Sequence, residues 1–319
     1  MLIALAVSAM CAALMGFAIQ RGGTCLVAAV DEVVSKRRAT RLVALAEASL
    51  LVAAGMVVAQ LLGLLPATPR AFALTGWTVA GGAIMGLGAY VAGSCVFGAV
   101  ARIGNGEPAF LLVPAGFFLG CIGALKLGMT RLPRVVELHS PVLSQALLFA
   151  GPLLLLVGWR LWHLLSAIRR REFLRSLWSP HVATAVIGVT FVLLLLLAGP
   201  WNYTDYLAEA ARHMARSGAS RGLLLLALFG GALLGGFTAG RIRPARPGVS
   251  ALVRCLAGGM LLGLGGSLVP GANDGLILLG LPLLYPHAWV AVGSMLATIS
   301  FALTLQHHGS AMVRSLRLA

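Results

Sequence analysis

Nine apolar segments, each about 20 residues long, dominate the chain, and this length matches the hydrocarbon core of a bilayer. They lie at roughly 2–20, 42–65, 72–92, 108–129, 142–165, 181–200, 221–240, 249–269 and 286–305. Only 10% of the residues are charged, against about 25% in soluble domains. We therefore predict an all-α polytopic membrane protein, whose helices satisfy their backbone hydrogen bonds internally. Because no charged residues precede the first segment, we expect a spanning helix there and not a cleaved signal peptide.

The net charge of +15 comes from basic residues that lie in short clusters between the apolar segments. Such clusters set membrane orientation, and no helix-turn-helix, RNA-binding or zinc-finger pattern accompanies them, so we expect no nucleic-acid partner. About twice as many basic residues fall on one side of the predicted membrane as on the other, which by the positive-inside rule is the cytoplasmic side. This places the N-terminus outside and the C-terminus in the cytoplasm.

A glycine pattern occurs twice, and each residue of the second copy follows its counterpart by 177 positions, as Ala257 follows Ala80. The first copy comprises Ala80-Gly81-Gly82, Gly86-Leu87-Gly88 and Gly98; the second comprises Ala257-Gly258-Gly259, Gly263-Leu264-Gly265 and Gly275. Glycine is frequent, with 40 of 319 residues, so chance matches and simple helix packing are alternatives. The third and eighth helices cross in opposite directions, which predicts an inverted-topology repeat. The predicted units are a first half (1–168), a basic cytoplasmic linker (169–180) and a second half (181–319).

Small residues interrupt the apolar pattern at three places. The interruptions are Gly22-Gly23-Thr24-Cys25, Gly93-Ser94-Cys95 and Pro270-Gly271-Ala272-Asn273-Asp274. The apolar pieces beside them (roughly 24–34, 95–103 and 275–284) are too short to span a bilayer, so we expect re-entrant helices, with interfacial helices as the alternative. Breaks of this kind at corresponding positions point to a substrate site.

Two of these breaks place a cysteine at the predicted N-terminus of a short helix. Free backbone N–H groups and the positive end of the helix dipole favour an anion there. A thiol in that place can donate a weak hydrogen bond to a sulfur or oxygen anion, or exchange with it. The predicted substrate-binding residues are Gly22, Gly23, Thr24, Cys25, Gly93, Ser94, Cys95, Gly271, Asn273 and Asp274.

The remaining polar residues favour neither an enzyme nor a metal site. Cys11, Cys121 and Cys255 are expected to be small buried hydrophobic residues. Serine-hydrolase, metalloprotease and zinc spacings do not occur, so no catalytic residue, metal or cofactor is expected. Glu47 is expected to reach the membrane interface, and few buried carboxylates remain for a cation pathway.

The three breaks resemble the YeeE/YedE membrane family, which contains the bacterial thiosulfate-uptake transporter. The resemblance rests on Gly22 to Cys25, on Ala80 to Gly98, and on Gly265-Gly266-Ser267-Leu268-Val269-Pro270-Gly271 with Asn273-Asp274-Gly275. It implies an inner-membrane protein with inverted repeats, embedded in lipid, that takes up thiosulfate or a related small sulfur-containing anion. It also implies short pore-facing helices, a relay between cysteines and a small cytosolic sulfur-carrier protein as partner.

By this resemblance, Cys25 and Cys95 match the first two relay cysteines, whereas Ala272 stands where the third is expected. Asn273 and Asp274 offer polar contacts there instead, and an aspartate would repel an anion unless Arg254 or backbone N–H groups offset its charge. The sequence leaves three functions open. The first is transport of a sulfur-containing anion, and the second is a membrane thiol protein that relays sulfur or selenium to a cytosolic carrier without transporting a solute. The third is a passive channel, for which flux would not saturate.

Overall fold

The computed structural model describes residues 2–318 except 66–67, 132, 172–176, 213–217 and 243–245. Within these residues the first half of the chain contains α1 (Leu2–Gly22), α2 (Leu26–Lys36), α3 (Thr40–Leu61), β1 (Ala71–Phe72), α4 (Gly76–Ala92), α5 (Val96–Gly104), α6 (Leu112–Lys126), β2 (Val135–Val136), α7 (Pro141–Ser144) and α8 (Ala146–Arg169). The second contains α9 (Pro180–Ala198), α10 (Tyr203–Ala211), α11 (Gly218–Thr238), α12 (Val249–Leu268), α13 (Ala272–Gly275) and α14 (Pro286–Leu318). Short 3₁₀ turns (Pro108–Leu111 and Met129–Arg131) and a π turn (Leu276–Gly280) complete the helical structure.

The prediction of an all-α membrane protein with nine spans is confirmed. Nine helical segments of the described residues are long and apolar enough to cross a membrane. Two of them join a long and a short helix, α1 with α2 (Leu2–Lys36) and α4 with α5 (Gly76–Gly104). The strands form one antiparallel pair, in which Ala71 faces Val136.

The order of helices repeats along the chain with the offset seen in the glycine pattern. Leu26, the first residue of α2, has its counterpart in Tyr203, the first residue of α10. Helices α1, α3 and α4 correspond in the same way to α9, α11 and α12, and α5 corresponds to α13 with the π turn. The division into halves at a 169–180 linker stays a prediction, and residues 172–176 of that linker lie outside the described residues.

The two glycine-rich helices, α4 and α12, pack directly against each other. A methyl group on Gly88 would lie 2.7 Å from the carbonyl oxygen of Gly258, and one on Gly265 would lie 2.6 Å from that of Gly81. The end of each helix therefore meets the beginning of the other, and the two run antiparallel. Gly258 is the counterpart of Gly81 and Gly265 that of Gly88, so the contact is reciprocal, as an inverted two-fold relation requires.

A partly buried ionic group joins three helices at the edge of the bundle. Glu47 of α3 forms an ion pair with Arg160 of α8, and its second oxygen lies 2.8 Å from His181 Nδ1 of α9. The side chains of Glu47 and Arg160 are only 13% and 12% exposed. The carboxylate thus has two partners within the protein, and the expectation that Glu47 reaches the membrane interface stays a prediction.

The segment between α9 and α11 is polar in sequence, but part of it is helical and buried. It contains α10, whose first turn packs into the core with Tyr203 and Thr204 both buried. Asn202 caps this helix, because its side-chain oxygen accepts a hydrogen bond from the Asp205 N–H at 2.8 Å. Polar residues in this segment thus face an internal site.

Candidate functional site

The two cysteines predicted at helix N-termini occupy the N-cap positions of α2 and α5 and lie close together. Cys25 caps α2 and Cys95 caps α5. The Leu26 N–H, directly after Cys25, donates to Cys95 Sγ at 3.1 Å. Cys95 is fully buried, whereas Cys25 is half-buried. The first turns of two short helices thus converge on one pair of sulfur atoms.

Glycines allow the chain to turn before each cysteine and allow the thiols to approach. Gly23 and Gly93 have φ values of +57° and +69°, in the left-handed region that favours glycine. Gly98, one turn into α5, leaves room for Cys25, since a methyl group there would lie 2.5 Å from Cys25 Sγ. These three positions explain why glycine is needed around the thiol pair.

Positive charge surrounds the first break. Arg21, the residue before Gly22, is buried at 4% exposure and donates to Thr238 Oγ1 at 2.7 Å. The Arg41 guanidinium donates to the Gly23 carbonyl at 3.4 Å. Two guanidinium groups and two helix N-termini therefore bring positive charge to this break, while the Glu32 carboxylate accepts the Arg41 N–H at 3.0 Å.

The other predicted residues of the first two breaks lie beside the thiols in the chain. Gly22 is half-buried and packs against Ala183 of α9, where a methyl group would lie 2.2 Å from the Ala183 Cβ. Thr24 and Ser94 are buried, and Ser94 Oγ donates to the Cys95 carbonyl at 2.8 Å. They shape the turns that carry Cys25 and Cys95.

The break in the second half repeats this geometry with different side chains. Asn202 stands at the position equivalent to Cys25 and caps α10 as Cys25 caps α2. A methyl group on Gly275 would lie 2.9 Å from Asn202 Nδ2, just as one on Gly98 would meet Cys25 Sγ. An amide has thus taken the place of a thiol in an equivalent site.

Asp274 lies in this second break at 1% exposure. Its Oδ1 accepts the Gly275 N–H at 3.0 Å and is hydrogen-bonded to Thr204 Oγ1. Thr204 Oγ1 also lies 2.9 Å from Asn202 Oδ1. A continuous row of oxygen atoms therefore runs from α13 to the start of α10.

The remaining residues of the second break are also buried or strained. Asn273 is fully buried, and neither its Oδ1 nor its Nδ2 has a hydrogen-bond partner among the described residues. A buried unpaired amide is costly, so it marks a place where a ligand or water can bind. Gly271 and Ala272 have φ values of +101° and +42°; the second is unusual for alanine.

The first turn of α10 connects the two halves of the site. Tyr203 Oη donates to the Val96 carbonyl at 2.8 Å, directly after Cys95, while the next residue, Thr204, binds Asp274. The breaks that the sequence placed 177 residues apart are thus linked through two adjacent side chains. The sequence does contain a signal for Asn202, Tyr203 and Thr204: they lie 177 positions after Cys25 and the two residues that follow it, which is the offset of the glycine repeat.

Of the two groups that could offset the charge of Asp274, the structure shows a backbone N–H, that of Gly275, and places Arg254 elsewhere. Its Nε donates to the Val91 carbonyl at 3.1 Å, so it lies at the first half's break beside Gly93. Across the parts of the chain that the structure describes, no Lys, Arg or His forms an ion pair with Asp274.

The other cysteines lie apart from the thiol pair. Cys11, Cys121 and Cys255 are buried at 6%, 0% and 2% exposure. Cys121 contacts the Gly263 carbonyl at 3.6 Å, in the packing between α6 and α12. In the described ranges, no group of three or more His, Cys, Asp or Glu side chains is arranged to hold a metal ion.

Comparison with known proteins agrees with the resemblance seen in the breaks. No curated protein shows a significant sequence match to the chain. The model of a family described as sulphur transport matches residues 21–301, a range that contains all three breaks. The chain therefore belongs to the sulphur transport (YeeE/YedE) family, a family of transporters of sulfur compounds.

Proposed function

We propose that this protein carries a small sulfur-containing anion, most directly thiosulfate, into the cell across the inner membrane. The observation that carries the proposal is the placing of Cys25 and Cys95 at two converging helix N-termini, where the first N–H of α2 donates to Cys95 Sγ. At this place thiol groups lie beside the free backbone N–H groups of two helix N-termini, which favour an anion. Family membership supplies the class of solute.

The electrostatics of the first break support an anionic solute. The N-termini of α2 and α5 present backbone N–H groups and the positive ends of two helix dipoles. Arg21 and Arg41 add formal charge within the same break. A cationic solute would be repelled by all four of these features.

The thiols account for selectivity toward sulfur. A thiol donates a weak hydrogen bond and offers a polarisable surface to the terminal sulfur of thiosulfate. In our proposal the anion meets the half-buried Cys25 first and then the buried Cys95. Because Ala272 has no thiol, we assign the next contact to the unpaired amide of Asn273.

Uptake of radiolabelled thiosulfate in a sulfur-starved bacterial host tests this proposal. Cys25→Ala and Cys95→Ala are each expected to abolish uptake while inserting normally in the membrane. Cys255→Ala is the matched control, since Cys255 is buried but lies apart from the thiol pair. Competition by unlabelled sulfite, sulfate and selenite defines the solute class. Full uptake by the Cys25→Ala/Cys95→Ala double variant would refute the proposal.

The closeness of the two thiols also favours a second function, in which sulfur is relayed without solute transport. A Cys25 or Cys95 thiolate would attack the outer sulfur of a persulfide donor, forming a new S–S bond and releasing the donor as a thiolate, with no net oxidation. A small cytosolic carrier would then accept that sulfur. Mass spectrometry of the two cysteines after donor treatment detects the persulfide, and an absence of flux in liposomes separates this function from transport.

A further inference from the structure

We infer that Asp274 carries a proton in this transporter and couples movement of the anion to movement of a proton. The inference rests on the proposed function, since it names the co-transported ion of the same pathway. It is drawn from the hydrogen bonds of the second break, which can all form only when the Asp274 carboxyl is protonated.

Three oxygen atoms in a row require two protons between them. Asp274 Oδ1 is hydrogen-bonded to Thr204 Oγ1, and Thr204 Oγ1 to Asn202 Oδ1. A hydroxyl group has one proton to donate, and an amide oxygen has none. When Thr204 donates to Asn202, the proton between Thr204 and Asp274 has to come from the carboxyl group of Asp274.

The orientation of the Asn202 amide is fixed by two further bonds, so it cannot turn its nitrogen toward Thr204. Asn202 Nδ2 donates to Asp205 Oδ2 at 2.7 Å, and Asn202 Oδ1 accepts the Asp205 N–H at 2.8 Å. The outer ends of the row are likewise occupied by N–H donors, from Asp205 at one end and Gly275 at the other. Neither Asn202 nor Thr204 can therefore supply the second proton of the row, the one between Thr204 and Asp274.

The surroundings of Asp274 also favour the neutral acid. The titratable groups beside Asp274 are Asp205 and Tyr203 on α10, both of which are neutral or negative, while Arg212 and Arg221 act on Asp205 instead. The adjoining end of α12 (263–268) and the π turn contain no titratable side chain. A buried carboxylate without a cation is costly, and a second negative charge on the passing solute raises that cost.

The coupling step follows from the preference of Asp274 for its neutral form while the anion is present. An O–H bond forms on Asp274 as the carboxylate takes a proton from the outer aqueous side, and the break can then admit the anion without repulsion. When the anion leaves toward the cytoplasm the same O–H bond breaks and the proton goes to water on that side. No oxidant or reductant takes part. Neighbouring Asn273, with its unpaired buried amide, lies where the anion would meet this carboxyl.

Proteoliposomes with the membrane potential clamped at zero test the inference. With the outside one pH unit more acidic, the wild-type protein is expected to accumulate labelled thiosulfate about tenfold if one proton accompanies each anion. Asp274→Asn, which holds a similar shape but cannot release a proton, is expected to equilibrate thiosulfate without accumulation. Glu209→Gln, on the same helix as Thr204 but paired with Arg221 outside the row, serves as control and should accumulate like the wild type.

The outcomes separate this inference from the proposed function. If the wild type moves no sulfur anion at all, the proposed function fails. If it moves thiosulfate but the pH gradient drives no accumulation, or if a sodium gradient does so instead, proton coupling by Asp274 is refuted.

A second measurement keeps the inference testable if Asp274→Asn does not fold. Infrared spectroscopy of the wild type at pH 7 should show the C=O stretch of a buried carboxylic acid, and this band should shift to lower frequency in D₂O as the transported proton is replaced by deuterium. Absence of such a band in folded, transport-competent protein would overturn the inference.

Discussion

The missing side chain of Gly98 is what permits the two thiols to lie close together. We expect Gly98→Ala to displace Cys25 Sγ, since the added methyl would lie 2.5 Å from it and 2.9 Å from Ser94 Oγ. Thiosulfate uptake should fall at least about tenfold, the cost of roughly 1.4 kcal/mol in binding. Uptake measured at equal membrane expression checks this expectation.

The control for that change is Gly123→Ala on α6. A methyl group there would approach only Leu264 Cδ2, at 3.9 Å, and alanine favours the helix by about 0.5–1 kcal/mol over glycine. This variant should transport like the wild type. Equal uptake by Gly98→Ala and Gly123→Ala would contradict the role given to Gly98.

At the scale of single residues, the sequence predicted the N-cap positions of Cys25 and Cys95, which depend on local pattern; their role in binding stays a prediction. Cys25 and Cys95 follow glycine and small residues, and such a context is enough to place an N-cap. Asn202 and Thr204 were not predicted because Trp201 and Tyr203 make that stretch look like an interfacial belt. Their role depends on Asp274, 70 residues away from Thr204, and a contact of that kind has no local signature.

At the scale of helices, the glycines of α4 and α12 set how closely the two halves approach. Gly258→Ala is expected to lower the stability by about 1–3 kcal/mol, as overpacking does in a tight core. Its methyl group would lie 2.6 Å from both the Ala92 nitrogen and the Gly88 oxygen, which are backbone atoms that cannot rotate away. The midpoint of thermal unfolding in detergent measures the effect.

Gly293→Ala on α14 is the matched substitution, since a methyl group there meets no atom within 4 Å. It should leave the midpoint unchanged or raise it slightly. If the two variants unfold at the same temperature, the backbone contact between α4 and α12 does not limit stability.

The Glu47 ion pair is expected to hold α8 to the bundle. Glu47→Gln leaves the Arg160 charge buried without its partner, and loss of one member of such a pair costs about 3–5 kcal/mol. By contrast, Glu107→Gln breaks the exposed pair with Arg102, whose side chains are 36% and 46% exposed, and should cost less than about 1 kcal/mol. Thermal unfolding of both variants provides the comparison, and similar losses would refute this assignment.

Helix length and number followed from the apolar segments because the bilayer imposes one length on every span. The short helix α10 did not, since its polar residues are directed at another part of the protein and its composition resembles a solvated loop. Hydropathy assigns polar segments to water. This assignment is wrong where, as in α10, polar side chains are buried against other polar side chains of the protein.

For the whole molecule, the distribution of basic residues predicts that the N-terminus is outside. An exposed cysteine introduced as Glu137→Cys, between β2 and α7, should react with a membrane-impermeant maleimide in intact cells. Lys36→Cys, at the end of α2, should react only after the membrane is permeabilised. Unmodified protein gives the background from the native cysteines, and the reverse labelling pattern would invert the predicted orientation.

The equivalent positions of Cys25 and Asn202 make the two copies chemically different at a place where their backbones are alike. Two copies of one architecture, facing opposite ways, would treat both sides of the membrane alike if their chemistry were identical. Here one copy presents sulfhydryl groups and the other an amide beside a carboxylic acid. The two copies of the site thus differ through these side chains. Exchanging the few residues between the copies would therefore test directly what sets the direction of transport.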